Sequence, residues 1–288
     1  MIVLFFIPPF IVLLITKGKI RFLTKFELVL VFALHYGIFI LALPIFFLLY
    51  KTKQQPWNQL LQIAIEPVVL STYSFTFLTA LLATIINVFF GLIIAWVLVR
   101  YEFPGKKILD ATVDLPFALP TSVGGLTLMT VFSDKRWIKP LCCWLGIKIV
   151  FTPIGVILAM IFVSLPFIIR TLQPVLQNME EELEEAAWCL GASPWTTFWH
   201  ILFPPLTPSL LTGTALGFSR ALGEYGSIVL IASNIPMKDL VISVLLFQKL
   251  EQYDYKTATI IASFVLIISF IALFFINQIQ LWKKKFHK

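Results

Sequence analysis

Apolar residues in this chain do not alternate with polar ones; they gather into long uncharged runs. A membrane-spanning helix needs roughly 20 apolar residues, and runs of that size lie at about 28–50, 72–99, 112–133, 150–172, 208–233 and 258–281. The pattern predicts an all-α polytopic membrane protein with about six transmembrane helices. In the third run, Pro116 and Pro120 remove backbone donors and Gly124-Gly125 permits close helix approach, so this span is expected to bend. Residues 2–15 are apolar but short, with Pro8-Pro9 in the middle and basic residues only afterwards. They read as a re-entrant or interfacial segment, not as a seventh span or a secretory signal. Were they to span, the terminus would change sides without disturbing the other six helices.

One polar stretch stands between two greasy runs and must lie in water. From 178 to 204 the pattern predicts two short helices joined by a bend. Asn178 is a candidate cap for the first, Glu180 and Glu181 suit its N-terminal end, and Gly191 can turn left-handed where it stops. Ser193-Pro194 is a start signal for the second, in which Trp195, Phe198, Trp199 and Leu202 recur at helical spacing. Pro204-Pro205 is expected to end it. Ala186, Ala187, Gly191 and Ala192 leave room at the bend for another protein to approach, and a soluble partner would explain why the segment is ordered.

Composition excludes a soluble globule: 59% of residues are hydrophobic and 13% charged, with a mean hydropathy of +0.93. The formal charge of +7 comes from basic residues that flank the apolar runs, so it reports topology and not nucleic-acid binding. With the residues before the first run inside, Lys17, Lys19, Arg21, Lys25, Arg100, Lys106, Lys107, Arg170, Lys283, Lys284, Lys285 and Lys288 lie on the inner side and nine others on outer loops. The 178–204 segment is then internal, on the side of ATP. Cys142 and Cys143 are adjacent, which disfavours a bond between them, and Cys189 sits in the inner segment. No metal motif, catalytic cluster or Gly-rich phosphate loop is evident, so if ATP drives this protein another chain binds it.

The stretch Glu185-Ala186-Ala187, then Gly191, then Ile201 and Pro204, resembles the EAA loop of ABC importer permeases, the element that docks on the ATPase subunit. Phe203 replaces the usual Leu before that proline. Four further stretches sharpen the resemblance: AWVLVRYEFPG at 95–105, DATVDLPFALPTSVGG at 110–125, SLPFIIRTLQPV at 164–175 and SRALGEY at 219–225. Together they are similar to sulfate/thiosulfate permease subunits of the CysT type, and somewhat less to molybdate (or tungstate) permeases, over about 28–280. The resemblance implies the type I ABC importer fold. It further implies two ATP-binding subunits, a second homologous permease and an external sulfate-binding protein, with ATP and Mg bound by the ATPases and no cofactor on this chain. The expected organisation is an apolar and basic extension at 1–27, a permease domain at 28–282 and a basic cytoplasmic tail at 283–288. The expected home is a bacterial inner membrane or a chloroplast membrane.

Candidate coupling residues are therefore Glu185, Ala186, Ala187, Gly191, Ala192, Ile201 and Pro204. Arg220 and Glu224 lie four apart within the fifth run, close enough to pair, and charge at membrane depth must face a partner or water. They are read either as a structural ion pair or as part of an anion pathway with Ser219, Thr121 and Ser122. Span three admits the same two readings, packing kink or pathway wall. Gly213, Gly217, Gly223 and Gly226 suit tight helix contact, for which the pseudo-twofold interface between permeases is one place. The implied mechanism is alternating access driven by ATP binding and hydrolysis in the partner. A secondary transporter or channel would not need the EAA-like loop.

Overall fold

The computed structural model describes residues 25–133, 144 and 146–286. The apolar segment 2–15, the 1–24 part of the extension, Cys142 and Cys143 lie outside the described residues. Two compact units divide the chain at Leu61/Gln62. In the first, α1 (Lys25–Gly37) and α2 (Leu43–Lys53) are joined by a π-helical turn, Ile38–Ala42, into one apolar helix whose span-length part is His35–Lys53. Helix α3 (Trp57–Ala64) straddles the division.

In the second unit, α4 (Pro67–Arg100) is a single helix of 34 residues, about 51 Å long at 1.5 Å per residue. Its start is set by Pro67 at the first turn after extended Glu66, and its end by extended Tyr101 and the left-handed Gly105. Then come α5 (Lys106–Val113), α6 (Leu115–Ala118) and α7 (Thr121–Phe132). Where a bent third span was expected, the helix breaks outright. Leu119 and Pro120 are extended, because Pro120 can neither donate to the helical ladder nor leave the preceding residue helical.

Helix α8 (Pro153–Gln177) is the axis of the unit. Its residues Val156, Met160, Val163, Ser164, Ile168, Leu172 and Leu176 recur at helical spacing and are buried. It packs against α4 on one side and α11 (Phe203–Leu222) on the other. Two apolar clusters form along it. One joins the first halves of α4 and α8 to Phe218, α12 (Ile228–Ile231), α13 (Ile242–Glu251) and α14 (Tyr255–Phe286). The other joins Ala95 and Leu98 to Ile168, Ile169, Leu172, Leu176 and Leu206. Among the described residues, five helices are long and apolar enough to cross a membrane: 35–53, 67–100, 153–177, 194–222 and 255–276. The broken α6–α7 stands at the third expected position.

Small residues set the closest approaches. A Cβ on Gly125 would lie 2.5 Å from Ser227 Cα, and one on Gly213 would lie 3.1 Å from Ile168 Cα. Gly213 and Gly217 thus seat α11 on α8 within this chain, a tight helix contact of the kind their small size suits. That contact is satisfied locally because α8 presents Ser164 and Thr171 opposite them. Polar groups at depth are also locally satisfied. Thr72, Thr76, Thr79 and Thr84 of α4 donate to carbonyls one turn back, and Thr76 accepts from Ile242 N–H at 3.0 Å.

Candidate functional site

The polar segment folds largely as its residues dictate, with two corrections. Helix α9 (Glu182–Cys189) is preceded by Glu181, not Asn178, at its cap position. Asn178 instead closes α8, its N–H bonded to the Pro174 and Val175 carbonyls, because α8 runs on to Gln177 and claims it. At the other end Gly191 has φ +84°; Ala192 N–H reaches the Ala187 carbonyl at 3.0 Å and Gly191 N–H the Trp188 carbonyl at 2.9 Å. Those two bonds satisfy the last carbonyls of the helix and require the left-handed residue between them. Ser193 then caps α10 (Pro194–Thr197), its Oγ accepting from Thr196 N–H at 3.2 Å.

The second correction concerns Pro204-Pro205. They do not end the helix. A π-helical turn, Phe198–Leu202, widens the ladder just before them, and they occupy the first turn of α11, where a missing N–H costs least. Pro194–Leu222 is accordingly one helical rod of 29 residues, and the expected fifth span begins in the polar segment itself. At the bend, Leu190 is 89% and Trp195 71% exposed, and Glu185, Ala186 and Gly191 are exposed as well. Ala187 and Leu202 are buried, while Ala192, Ile201 and Pro204 are half-buried.

Two arginines organise this end of the bundle, Arg100 and Arg170, both basic residues of the inner side and both within the stretches that carry the resemblance. Arg100, the last residue of α4, reaches Glu181 Oε1 at 3.3 Å and Glu184 Oε1 at 2.7 Å, and its guanidinium lies 5.6 Å from the Trp96 ring centre. Arg170 of α8 is a bidentate partner of Asp114 at 2.6 and 2.8 Å and bonds Asp110 Oδ1 and Gln173 Oε1 at 2.7 and 2.6 Å. Its Nη2 also reaches the Asp110 carbonyl at 2.8 Å. The hydrogen bond from Gln173 is the largest influence holding the Asp110 carboxyl below its ordinary range, and Arg170 adds to it against the opposing effect of burial. The acidic partners lie from 56 residues (Arg170 and Asp114) to 84 residues (Arg100 and Glu184) away in sequence. Only opposite charges at the ends of neighbouring apolar runs hinted at the pairing.

Toward the far end of α11 the structure gathers the other candidates. Arg220 Nη1 meets Glu224 Oε2 at 2.7 Å, as expected from their spacing. Glu224 lies just past the helix, which ends at Leu222, and is 1% exposed. Its other oxygen accepts from Ser227 N–H at 2.9 Å and Ser227 Oγ at 2.7 Å, and its carbonyl accepts from Ser243 Oγ at 2.6 Å. Ser219 Oγ donates to the Ala215 carbonyl at 2.7 Å. Thr121 and Ser122, at the start of α7, lie against Gly226: any Cβ there would strike Thr121 Oγ1 and come within 3.0 Å of Ser122 N. The break in span three therefore meets the break after α11.

A comparison with known families decides what this architecture belongs to. Residues 87–281 match the model of the binding-protein-dependent transport system inner membrane component. The chain belongs to that family. It is an integral membrane protein. It is 89% identical over 288 residues to the "Probable sulfate transport system permease protein cysT" of Marchantia polymorpha, covering all of both chains. It is 69% identical to the protein of the same description from Anthoceros angustus, over 99% of each chain. It is 56% identical to the "Sulfate transport system permease protein CysT" of a Synechocystis strain, over 87% of this chain and 88% of that one. The fold is also that of a solved bacterial alginate ABC transporter in complex with an alginate pentasaccharide-bound periplasmic protein. That chain superposes with a TM-score of 0.72 at 17% identity, over 88% of this chain and 92% of that one.

Proposed function

We propose that this chain is the membrane permease subunit of an ATP-driven importer of sulfate, working by alternating access. The observation that carries the coupling half of the reading is the continuity of the rod 194–222. A water-exposed bend bearing Leu190 and Trp195 leads without interruption to Arg220. A protein seated on that bend can move the helix bearing the intramembrane cation. The sulfate half rests on the relatives at 56–89% identity, whose descriptions name sulfate and not molybdate.

In this reading Glu185, Ala186, Ala187, Gly191, Ala192, Ile201 and Pro204 form the coupling segment. An ATP-binding subunit seats on it, one of two that carry the ATP and Mg. A second homologous permease completes the pathway, and an external sulfate-binding protein does the selecting. Arg220 offers a cation to a passing dianion, whose loss of hydration in a low-dielectric path must be offset. Glu224 neutralises that cation between passages while it braces the turn 223–227. Ser219, Thr121 and Ser122 supply hydroxyls beside the break. Relatives in land plants and a cyanobacterium suit a chloroplast or bacterial inner membrane.

The test is uptake of labelled sulfate into proteoliposomes holding the full complex, with ATP inside and the binding protein outside. Uptake that needs both is expected, and excess thiosulfate or molybdate added as competitors ranks the anions. ATP-driven movement of a sugar, amino acid or metal cation, with none of sulfate, would overturn the substrate. In the same vesicles Gly191→Leu, which forces a side chain into the left-handed region at about 1–2 kcal/mol, and Glu185→Lys should each insert normally and abolish uptake. Normal uptake in both would refute the coupling role.

A further inference from the structure

We infer that Arg100 is a positioning residue that tethers the coupling helix to span two and thereby sets how much of an ATPase movement reaches the membrane helices. The inference rests on the coupling role proposed for 178–204. Helix α4 crosses the whole unit and ends in Arg100, so this guanidinium stands where the longest rigid element meets the water-exposed segment. It bridges two carboxylates there, Glu181 at the cap position of α9 and Glu184 one turn on. Arg100 and Glu184 side chains are 12% and 15% exposed, so their attraction is only partly screened.

Two further observations distinguish this tether from ordinary packing. Between α4 and the segment lies an open apolar groove of about 550 Å³, lined among others by Trp96, Val97, Trp188, Trp195 and Phe198. Close-packed side chains resist displacement; a groove does not, so the ionic link decides where the coupling helix sits. The second is the contrast between the two arginines. Arg170 spends its Nε and both terminal nitrogens on well-directed bonds to Asp110, Asp114 and Gln173. Arg100 makes single contacts instead: Nη1 to Glu181 at 3.3 Å and Nη2 to Glu184 at 2.7 Å, with no bond from its buried Nε. Arg170 is a fixed clamp holding α5 and α6 to α8. Arg100 holds each carboxylate by one terminal nitrogen, and can follow Glu181 and Glu184 as the coupling helix moves without letting go.

The experiment measures sulfate taken up per ATP hydrolysed by the reconstituted complex. Arg100→Gln removes the charge and keeps much of the side chain's length. The expected result is normal assembly with continued ATP hydrolysis and a fall in the ratio of roughly tenfold, within the range of coupling between linked sites. A structural lesion alone would lower both rates together and leave the ratio intact. The charge exchange Arg100→Glu with Glu184→Arg should recover most of the ratio. It also decides the matter should Arg100→Gln fail to assemble, because an assembled exchange variant without recovery overturns the inference. Gly191→Leu serves as control. A wild-type ratio in Arg100→Gln beside lost uptake in Gly191→Leu would refute the tether and leave the coupling role standing; wild-type uptake in both would remove the coupling role itself.

Discussion

Arg220 and Glu224 depend on one another, and the dependence can be sized from their surroundings. Glu224→Ala removes the acceptor of Ser227 N–H and Oγ and strands Arg220. The stranded Ser227 donors cost about 2 kcal/mol. The unpaired arginine adds about 2 kcal/mol, below the value for a fully buried charge because its side chain is 29% exposed. Arg220→Ala leaves a carboxylate, 1% exposed, with only the two Ser227 donors, at about 3 kcal/mol. In the double variant no charge is left unpaired. It keeps the Ser227 cost and some lost packing, again about 3 kcal/mol, so the two sites should be coupled by about 4 kcal/mol. Unfolding of the purified chain by SDS titration, followed by circular dichroism, gives all four corners of the cycle. A double variant destabilised by the sum of the singles, to within about 0.5 kcal/mol, would show that the pair is not formed. Sulfate uptake by the double variant then separates roles: a folded but inactive complex assigns the pair to the pathway, and an active one assigns it to the turn alone.

Two smaller predictions follow from the same end-to-end reading. The Asp110 carboxyl is held below its ordinary value by Gln173 and Arg170, so its contribution to stability is complete above the ordinary aspartate pKa of about 4 and is lost as pH falls through the lower, folded value. Asp110→Asn should flatten acid unfolding of the complex below about pH 4, and an unchanged acid limb in that variant would refute the pairing. Gly125→Ala sets a methyl 2.5 Å from Ser227 Cα and 2.6 Å from its carbonyl oxygen, so backbone must move. A loss of about 2–3 kcal/mol or more is expected by the same SDS titration, whereas Gly105→Ala, with open space around it but φ +91°, should lose only about 1–2 kcal/mol.

What was legible in the chain was what is local. Gly191 and Ser193-Pro194 announce their conformations because a left-handed closure and a capped first turn are decided within a few residues. The apolar runs gave the membrane spans for the same reason. Pro204-Pro205 misled because proline stops a helix that reaches it but suits a helix that starts with it. Which of the two applies depends on the π-helical turn at Phe198–Leu202, which propensity does not foretell. The third span was marked by Pro116 and Pro120, yet whether such a helix bends or breaks depends on what receives the broken end, here Gly226 and Ser227 from more than 100 residues away. The arginine clamps were invisible for that reason too. Arg100 looked like an inward topology signal, and nothing near it in sequence names Glu181 and Glu184.

The unbroken rod from Pro194 to Leu222 also constrains how such a chain can diverge. In a helix each residue adds about 100° of rotation and 1.5 Å of rise. One residue inserted between Phe198 and Arg220 would turn the bend by more than a quarter circle relative to the arginine, swinging Phe198 away from Trp96 while α11 stays seated on α8. Apart from the π-helical turn Phe198–Leu202, nothing within the rod can absorb the change. This stretch is therefore free to drift in the identity of its outward side chains but not in its length. Insertions are expected to be tolerated outside it, in connections such as 101–105 or 252–254.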